Sequence, residues 1–226
     1  MHDHNASPVN PLPPVVLALF AILAVAELAF SLGARGLMGG PGAIGWRVAM
    51  IERFAYAPEI LDWMVRTRQL PPEHLARIVT YPFVNGAFTA TLFAGVMLLA
   101  LGKMVAEAIG QPRTLAVFLG AAIGGALIYT AVLPGGPALY GSFPPVYGLI
   151  GAFTYLLWVR LGQAGEAQIR AFTLIGVLLG IQLVFGLLFG GGPFWVAEIG
   201  GFLSGFGLAV LLVPGGARRL LHRIRR

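Results

Sequence analysis

Six stretches of apolar residues, each close to twenty long, constrain this chain more than any other feature. An α-helix rises 1.5 Å per residue, so about 20 apolar residues cross the hydrocarbon of a bilayer. Residues 13–33, 79–102, 114–133, 144–161, 168–190 and 193–213 all meet that requirement. The fourth stretch opens on Pro144-Pro145, which a helix tolerates in its first turn, where a missing N–H loses no partner. Composition points the same way: 58% of residues are hydrophobic and 11% charged, against roughly 45–50% and about 25% in a soluble domain. The expectation is one all-α membrane domain over 1–226, a bundle of six transmembrane helices.

The Lys and Arg positions orient the bundle, because cytoplasmic loops carry the excess of both. With both termini inside, the short inner loops hold Lys103, Arg113, Arg160 and Arg170, and the short outer loops around 134–143 and 190–193 hold no charge. Residues 1–12 then form a cytoplasmic N-terminus, and 214–226 a basic cytoplasmic tail carrying Arg218, Arg219, Arg223, Arg225 and Arg226. Such a tail suits anionic lipid headgroups. Nucleic acid is not an expected partner, since no aromatic-interleaved basic surface accompanies the cluster. The first twelve residues hold no Lys or Arg, so the first apolar run reads as a retained helix rather than a secretory signal. The organisation is that of an integral protein of a bacterial inner membrane. There is no cysteine, which excludes disulfides and thiolate chemistry.

Between the first two spans lies an apolar segment, 34–78, opened by a Gly39-Gly40-Pro41-Gly42 turn and closed by Pro71-Pro72. Apolar residues alternate there with charges in helical fashion, which predicts short amphipathic helices lying in the outer interface. Gly120/Gly124, Gly176/Gly180 and Gly201/Gly205 each place two glycines on one helix face, a pattern that allows close helix approach in lipid.

Two stretches carry the chemistry to be weighed. One is Gly141-Ser-Phe-Pro-Pro-Val-Tyr-Gly-Leu-Ile-Gly-Ala-Phe153, and the other is Ala197-Glu-Ile-Gly-Gly-Phe-Leu-Ser-Gly205. They resemble the two core signatures of rhomboid intramembrane serine proteases, Gly-x-Ser-Gly before a Gly-rich helix and Ala-His before two glycines. Further likenesses are Trp46-Arg47 in the first loop, Arg77-Ile-Val-Thr-Tyr-Pro-Phe-Val-Asn-Gly86 before the second span, and Leu119-Gly-Ala-Ala-Ile-Gly-Gly-Ala126 in the third. The resemblance implies a rhomboid-like bundle in which Gly148, Gly151, Gly200, Gly201 and Gly205 are structural.

It also implies that the chemistry is gone. Anchored on Val146-Tyr147-Gly148, the family's nucleophile position is Phe143, and the glycine after it is Pro144. Anchored on Gly200-Gly201, the catalytic histidine position is Glu198. In helix two the family often has His-x-x-x-x-His-x-x-x-Asn, whose later members help hold an oxyanion; the matching positions are Asn85, Ala90 and Ala94, of which only Asn85, at the outermost histidine, could donate. Ser142 is the sole neighbouring hydroxyl. The four histidines (His2, His4, His74 and His222) lie outside the apolar spans, so neither a serine–histidine dyad nor an intramembrane metal site is expected, and no cofactor.

Glu27 and Glu198 fall inside apolar spans, where a lone charge is costly, so each should be protonated or hydrogen-bonded. Glu27 is read as internally satisfied. Glu198 has two readings: a contact or proton switch for a client helix, or an internal hydrogen bond to Ser142, Asn85 or Tyr147. Gln182 is expected to hydrogen-bond between helices. Inactive relatives in this family keep the bundle and hold or move transmembrane clients. The leading expectation is therefore a rhomboid-like protein that binds other membrane proteins without cleaving them. The alternatives are an active protease with unconventional residues and a small proton-linked transporter.

Overall fold

A computed structural model describes residues 11–189 and 192–213, the side chains of several residues in 182–189 excepted. The basic tail 214–226, most of the N-terminal segment and the side chain of Gln182 therefore lie outside the described residues. The described chain is helical, with a single isolated antiparallel bridge between Tyr56 and Leu139. Four helices are long and apolar enough to cross a membrane: α1 (Pro14–Ala34), α5 (Phe88–Ile109), α6 (Gln111–Val132) and α9 (Trp195–Leu212). Between α1 and α5 come three short helices, α2 (Trp46–Phe54), α3 (Pro58–Thr67) and α4 (Pro72–Thr80). After α6 come α7 (Phe143–Gln163) and α8 (Thr173–Phe189).

The proline placement explains several of the starts. Pro14, Pro58, Pro72 and Pro144 each sit in a first helical turn, where φ is already helical and no hydrogen bond is lost. Helix α5 begins nine residues later than the apolar run suggests. Residues 79–87 finish α4, form a 3-10 turn at Tyr81–Phe83 and then extend through Asn85 and Gly86. Pro82 causes this, because it supplies no N–H to continue α4. At the other end of α5, Gly110 (φ 89°) makes the turn into α6.

Helix α7 is the axis of the molecule. It packs against α6 and α9 on one side and α5 on the other, while α1 lies on α5. Its first turns are enclosed, Pro144 through Ala152 being buried without a break. A helix so surrounded needs no lipophilic exterior, which is why Tyr147, Tyr155 and several glycines fit there. Backbone contact makes the enclosure possible. A Cβ added at Gly201 would collide with the Pro144 carbonyl, one at Gly205 with the Gly148 carbonyl, and one at Gly151 with the Phe202 carbonyl. Gly148 is wedged against Ala121 of α6, and Gly200 lies 3.2 Å from the Gly125 backbone as measured from its would-be Cβ.

Two of the three glycine pairs are thus used as expected, Gly120 and Gly124 receiving Leu208 and Ser204 of α9. The third is not. Gly176 and Gly180 on α8 are exposed, and a Cβ on either would meet nothing within 4 Å. Helix α8 joins the described bundle mainly through the 3-10 turn at Gln168–Phe172, so among the described residues no neighbouring backbone comes near its glycine face.

A second cluster closes the bundle's end around Tyr56, Tyr81, Tyr129, Leu139 and Val196. Tyr56 and Leu139 exchange backbone hydrogen bonds of 2.9 and 2.7 Å, and the Tyr81 hydroxyl donates to the Ala122 carbonyl at 2.9 Å. The first loop is therefore pinned to the turn that leads into α7.

Candidate functional site

The turn before α7 is Gly141-Ser142-Phe143. Gly141 takes φ 103°, a conformation glycine adopts at little cost, and its N–H donates to the Tyr81 carbonyl at 3.0 Å. Ser142 follows at the N-cap of α7, where a serine hydroxyl ordinarily accepts from the N–H of the second or third helical residue. Those residues are Pro144 and Pro145, which have no N–H, and no capping bond forms. The hydroxyl turns elsewhere. It donates to the Pro82 carbonyl at 2.6 Å and accepts from Asn85 Nδ2 at 3.0 Å, while the Ser142 N–H donates to Asn85 Oδ1 at 3.0 Å. Both residues are buried, Ser142 completely.

Asn85 is also the hinge to a second polar group. Its backbone carbonyl accepts from Arg47 Nη1 at 2.9 Å. The Arg47 guanidinium forks onto the Glu27 carboxylate, at 2.9 Å to Oε2 and 2.5 Å to Oε1. Glu27 takes two further bonds, from Ser31 at 2.8 Å and Thr91 at 2.7 Å. Arg47 lies over the Phe30 ring at 5.1 Å, and Trp46 beside it fills the space above Gly33 and Gly39. One connected network thus runs from α1 through α2 and α5 to the first turn of α7. Glu27 is satisfied internally, as expected from the sequence. Its partner Arg47 was not foreseen. The available signal was the cost of an acid in a span, set beside an arginine in the one loop that follows it.

Phe143 opens α7 half-buried and packs against the main core. Ala94 is fully buried and Ala90 partly so, neither offering a donor at its side chain. Glu198 sits in the first turn of α9, 6% exposed. Helices α7 and α9 run in a constant register, Gly201 on Pro144 and Gly205 on Gly148. Extended by one turn, that register brings Glu198 level with Gly141 and Ser142. Tyr147 of α7 is within electrostatic reach of it. Ser142 and Asn85 hydrogen-bond to each other, and the Ser142 hydroxyl donates to the Pro82 carbonyl. Among the described residues, no three His, Asp or Glu side chains gather to hold a metal ion.

The site is a buried junction of α7 and α9 whose turn is locked by hydrogen bonds, whose helix N-terminus lacks two N–H groups, and whose acid lies in the first turn of α9. The glycine contacts that build it are those the two signatures share. No curated protein matches the chain. A family profile described as Rhomboid domain matches residues 72–215, more than half of the sequence, from α4 to just beyond α9. With that match over the helices that build the junction, the chain belongs to the rhomboid family.

Proposed function

We propose that this integral membrane protein binds transmembrane segments of other proteins and does not cleave them. The observation that carries the reading is the state of Ser142, the only hydroxyl beside the position the family uses for its nucleophile. Its proton is committed to the Pro82 carbonyl, and its oxygen faces Asn85 rather than a base. Nucleophilic catalysis needs a hydroxyl against a base of suitable pKa and donors for the oxyanion. Phe143 has no heteroatom, Pro144 and Pro145 have no N–H, and a carboxylate at 198 is a weak base for serine chemistry. The transporter reading loses one of its two carboxylates, since Glu27 is held by Arg47, Ser31 and Thr91.

In this reading the chain crosses an inner membrane six times with both ends cytoplasmic. Helices α7 and α8 supply the fourth and fifth spans, and α2–α4 lie in the outer interface. Support comes from the Lys/Arg distribution, from the enclosure of α7, and from exposed Val48, Val65 and Leu75 on the short helices. Anionic headgroups hold the basic tail. The test is labelling of the purified protein with a fluorophosphonate or isocoumarin probe, beside cleavage of a labelled transmembrane substrate. No labelling and no product are expected, with clients retained on affinity purification. Labelling abolished by Ser142→Ala would overturn the proposal.

A further inference from the structure

A half-open cleft separates α3 from the end of α6, away from the Ser142 turn. It holds about 530 Å³ and is lined by Leu61, Val65 and Pro134 together with Glu59, Asp62, Arg66 and Thr130. That volume lies within the range of small-ligand sites, roughly 300–1,000 Å³. Its position is fixed by α6, a helix long and apolar enough to span. Ile123 and Leu127 are exposed on the stripe of α6 that leads, at helical spacing, to Thr130, and Pro134 follows just beyond the helix end. A lipid whose acyl chain lies along that stripe carries its headgroup to the height of the cleft.

The charges of the cleft select among headgroups. Arg66 and Asp62 neutralise each other through bonds of 3.0 and 2.8 Å. Glu59 is left as the net charge, a carboxylate at the rim. An anionic headgroup meets repulsion from it. A zwitterionic headgroup with a primary ammonium meets the carboxylate with a charge-assisted hydrogen bond and turns its phosphate toward Arg66. A quaternary ammonium has no proton to give. We propose that this cleft is a site for phosphatidylethanolamine, a role independent of what the junction of α7 and α9 does.

The full chain, purified in mild detergent, would be titrated with short-chain phosphatidylethanolamine, phosphatidylcholine and phosphatidylglycerol, and its binding and melting followed. The ethanolamine lipid should bind best and raise the melting temperature most. Glu59→Gln should weaken it by about two- to fivefold, the range an exposed charge pair supplies, and Glu52→Gln on α2 should not. Glu59→Lys should turn the preference toward phosphatidylglycerol, a gain that a folding defect cannot mimic. Equal binding of all three lipids, or an unchanged preference in Glu59→Gln, would overturn the assignment. Glycerophosphoethanolamine, which has no chains, should bind far more weakly, and equal binding would mean a soluble ligand instead. Saturation of the cleft by a lysine-flanked transmembrane peptide, with no ethanolamine effect, would assign it to a protein.

Discussion

Replacing Arg47 tests the polar network most directly. Arg47→Met keeps much of the stem's volume and removes the fork, leaving Glu27 with the hydroxyls of Ser31 and Thr91 only. Removing one partner of a buried pair in a soluble core costs about 3–5 kcal/mol. Two features lower that here. The Arg47 side chain keeps 21% of its exposure against 7% for Glu27, so part of its solvation survives. An acid in an inserted but unpacked α1 also finds other partners, which weakens polar contacts in membranes relative to expectation. Arg47→Met should therefore destabilise by about 2–3 kcal/mol. Glu27→Gln should cost about 1–2 kcal/mol, because the amide oxygen still accepts from Arg47 and the guanidinium left without its counter-ion is the more exposed of the two groups. Glu27→Leu combined with Arg47→Met should fall well short of the sum of its parts, since an apolar pair replaces a buried ion pair at little cost. Thermal melting in detergent supplies the energies. Proteolysis within 34–58 reports whether the first loop has come off α1. Strict additivity of Glu27→Leu and Arg47→Met would refute the coupling.

Other consequences follow from the packing and the chemistry. Gly201→Ala and Gly205→Ala drive a methyl into the carbonyls of Pro144 and Gly148 and should each cost about 1–3 kcal/mol, whereas Gly176→Ala and Gly180→Ala face open space and should be neutral or gain up to about 1 kcal/mol; equal melting losses across the four would contradict the assigned register. Burial pushes the phenols of Tyr56 and Tyr81 above their ordinary value of 10.0, the Thr130 bond opposing the rise at Tyr56 and the neighbouring Tyr56 adding to it at Tyr81. Because the folded state favours the neutral phenols, their contribution is fully present below pH 10.0 and is lost as pH rises through the higher folded values. Melting should be level up to pH 10.0 and fall above it, less steeply in Tyr81→Phe, and an unaltered slope in that variant would discount burial of the Tyr81 phenol as the cause. Phe143→Ser with Glu198→His should restore little cleavage, since Pro144, Pro145, Ala90 and Ala94 supply no oxyanion donor and losing one such donor costs about 10²–10³ in rate. Robust turnover by that double variant would refute this account of the turn.

The sequence discloses the helices because their physics is local. Twenty apolar residues fix α1, α6 and α9 to within a few positions, with a proline in the first turn of α1 and of α6. It discloses the first loop as helical for the same reason, through the alternation of charged and apolar residues. It misplaces the start of α5, because an apolar run cannot report that Pro82 ends one helix and that Asn85 must stay extended to reach Ser142. Pairings across the molecule are less legible still. The Arg47–Glu27 bond spans 20 residues and the Asn85–Ser142 bond 57, and nothing in either local pattern names the other end. The glycine pairs show the limit from the other side. All three read alike in the sequence, and only the neighbour that Gly176 and Gly180 lack distinguishes them from Gly201 and Gly205.

Fold and chemistry rest on different residues at the junction of α7 and α9. Gly148, Gly151, Gly201 and Gly205 have backbone where a side chain would go, so any replacement must move a helix. Position 143 opens α7 with its side chain only half enclosed, and a phenyl ring fits there without disturbing a backbone contact. At position 198 a carboxylate is electrostatically the better resident. The first turn of α9 carries the positive end of the helix dipole, which favours an anion and disfavours a protonated imidazole. Ser142 closes the turn through Pro82 and Asn85, Pro144 and Pro145 offering no N–H that a cap would use. The match over residues 72–215 spans the helices that make these backbone contacts, and the reaction must be argued from the side chains around them.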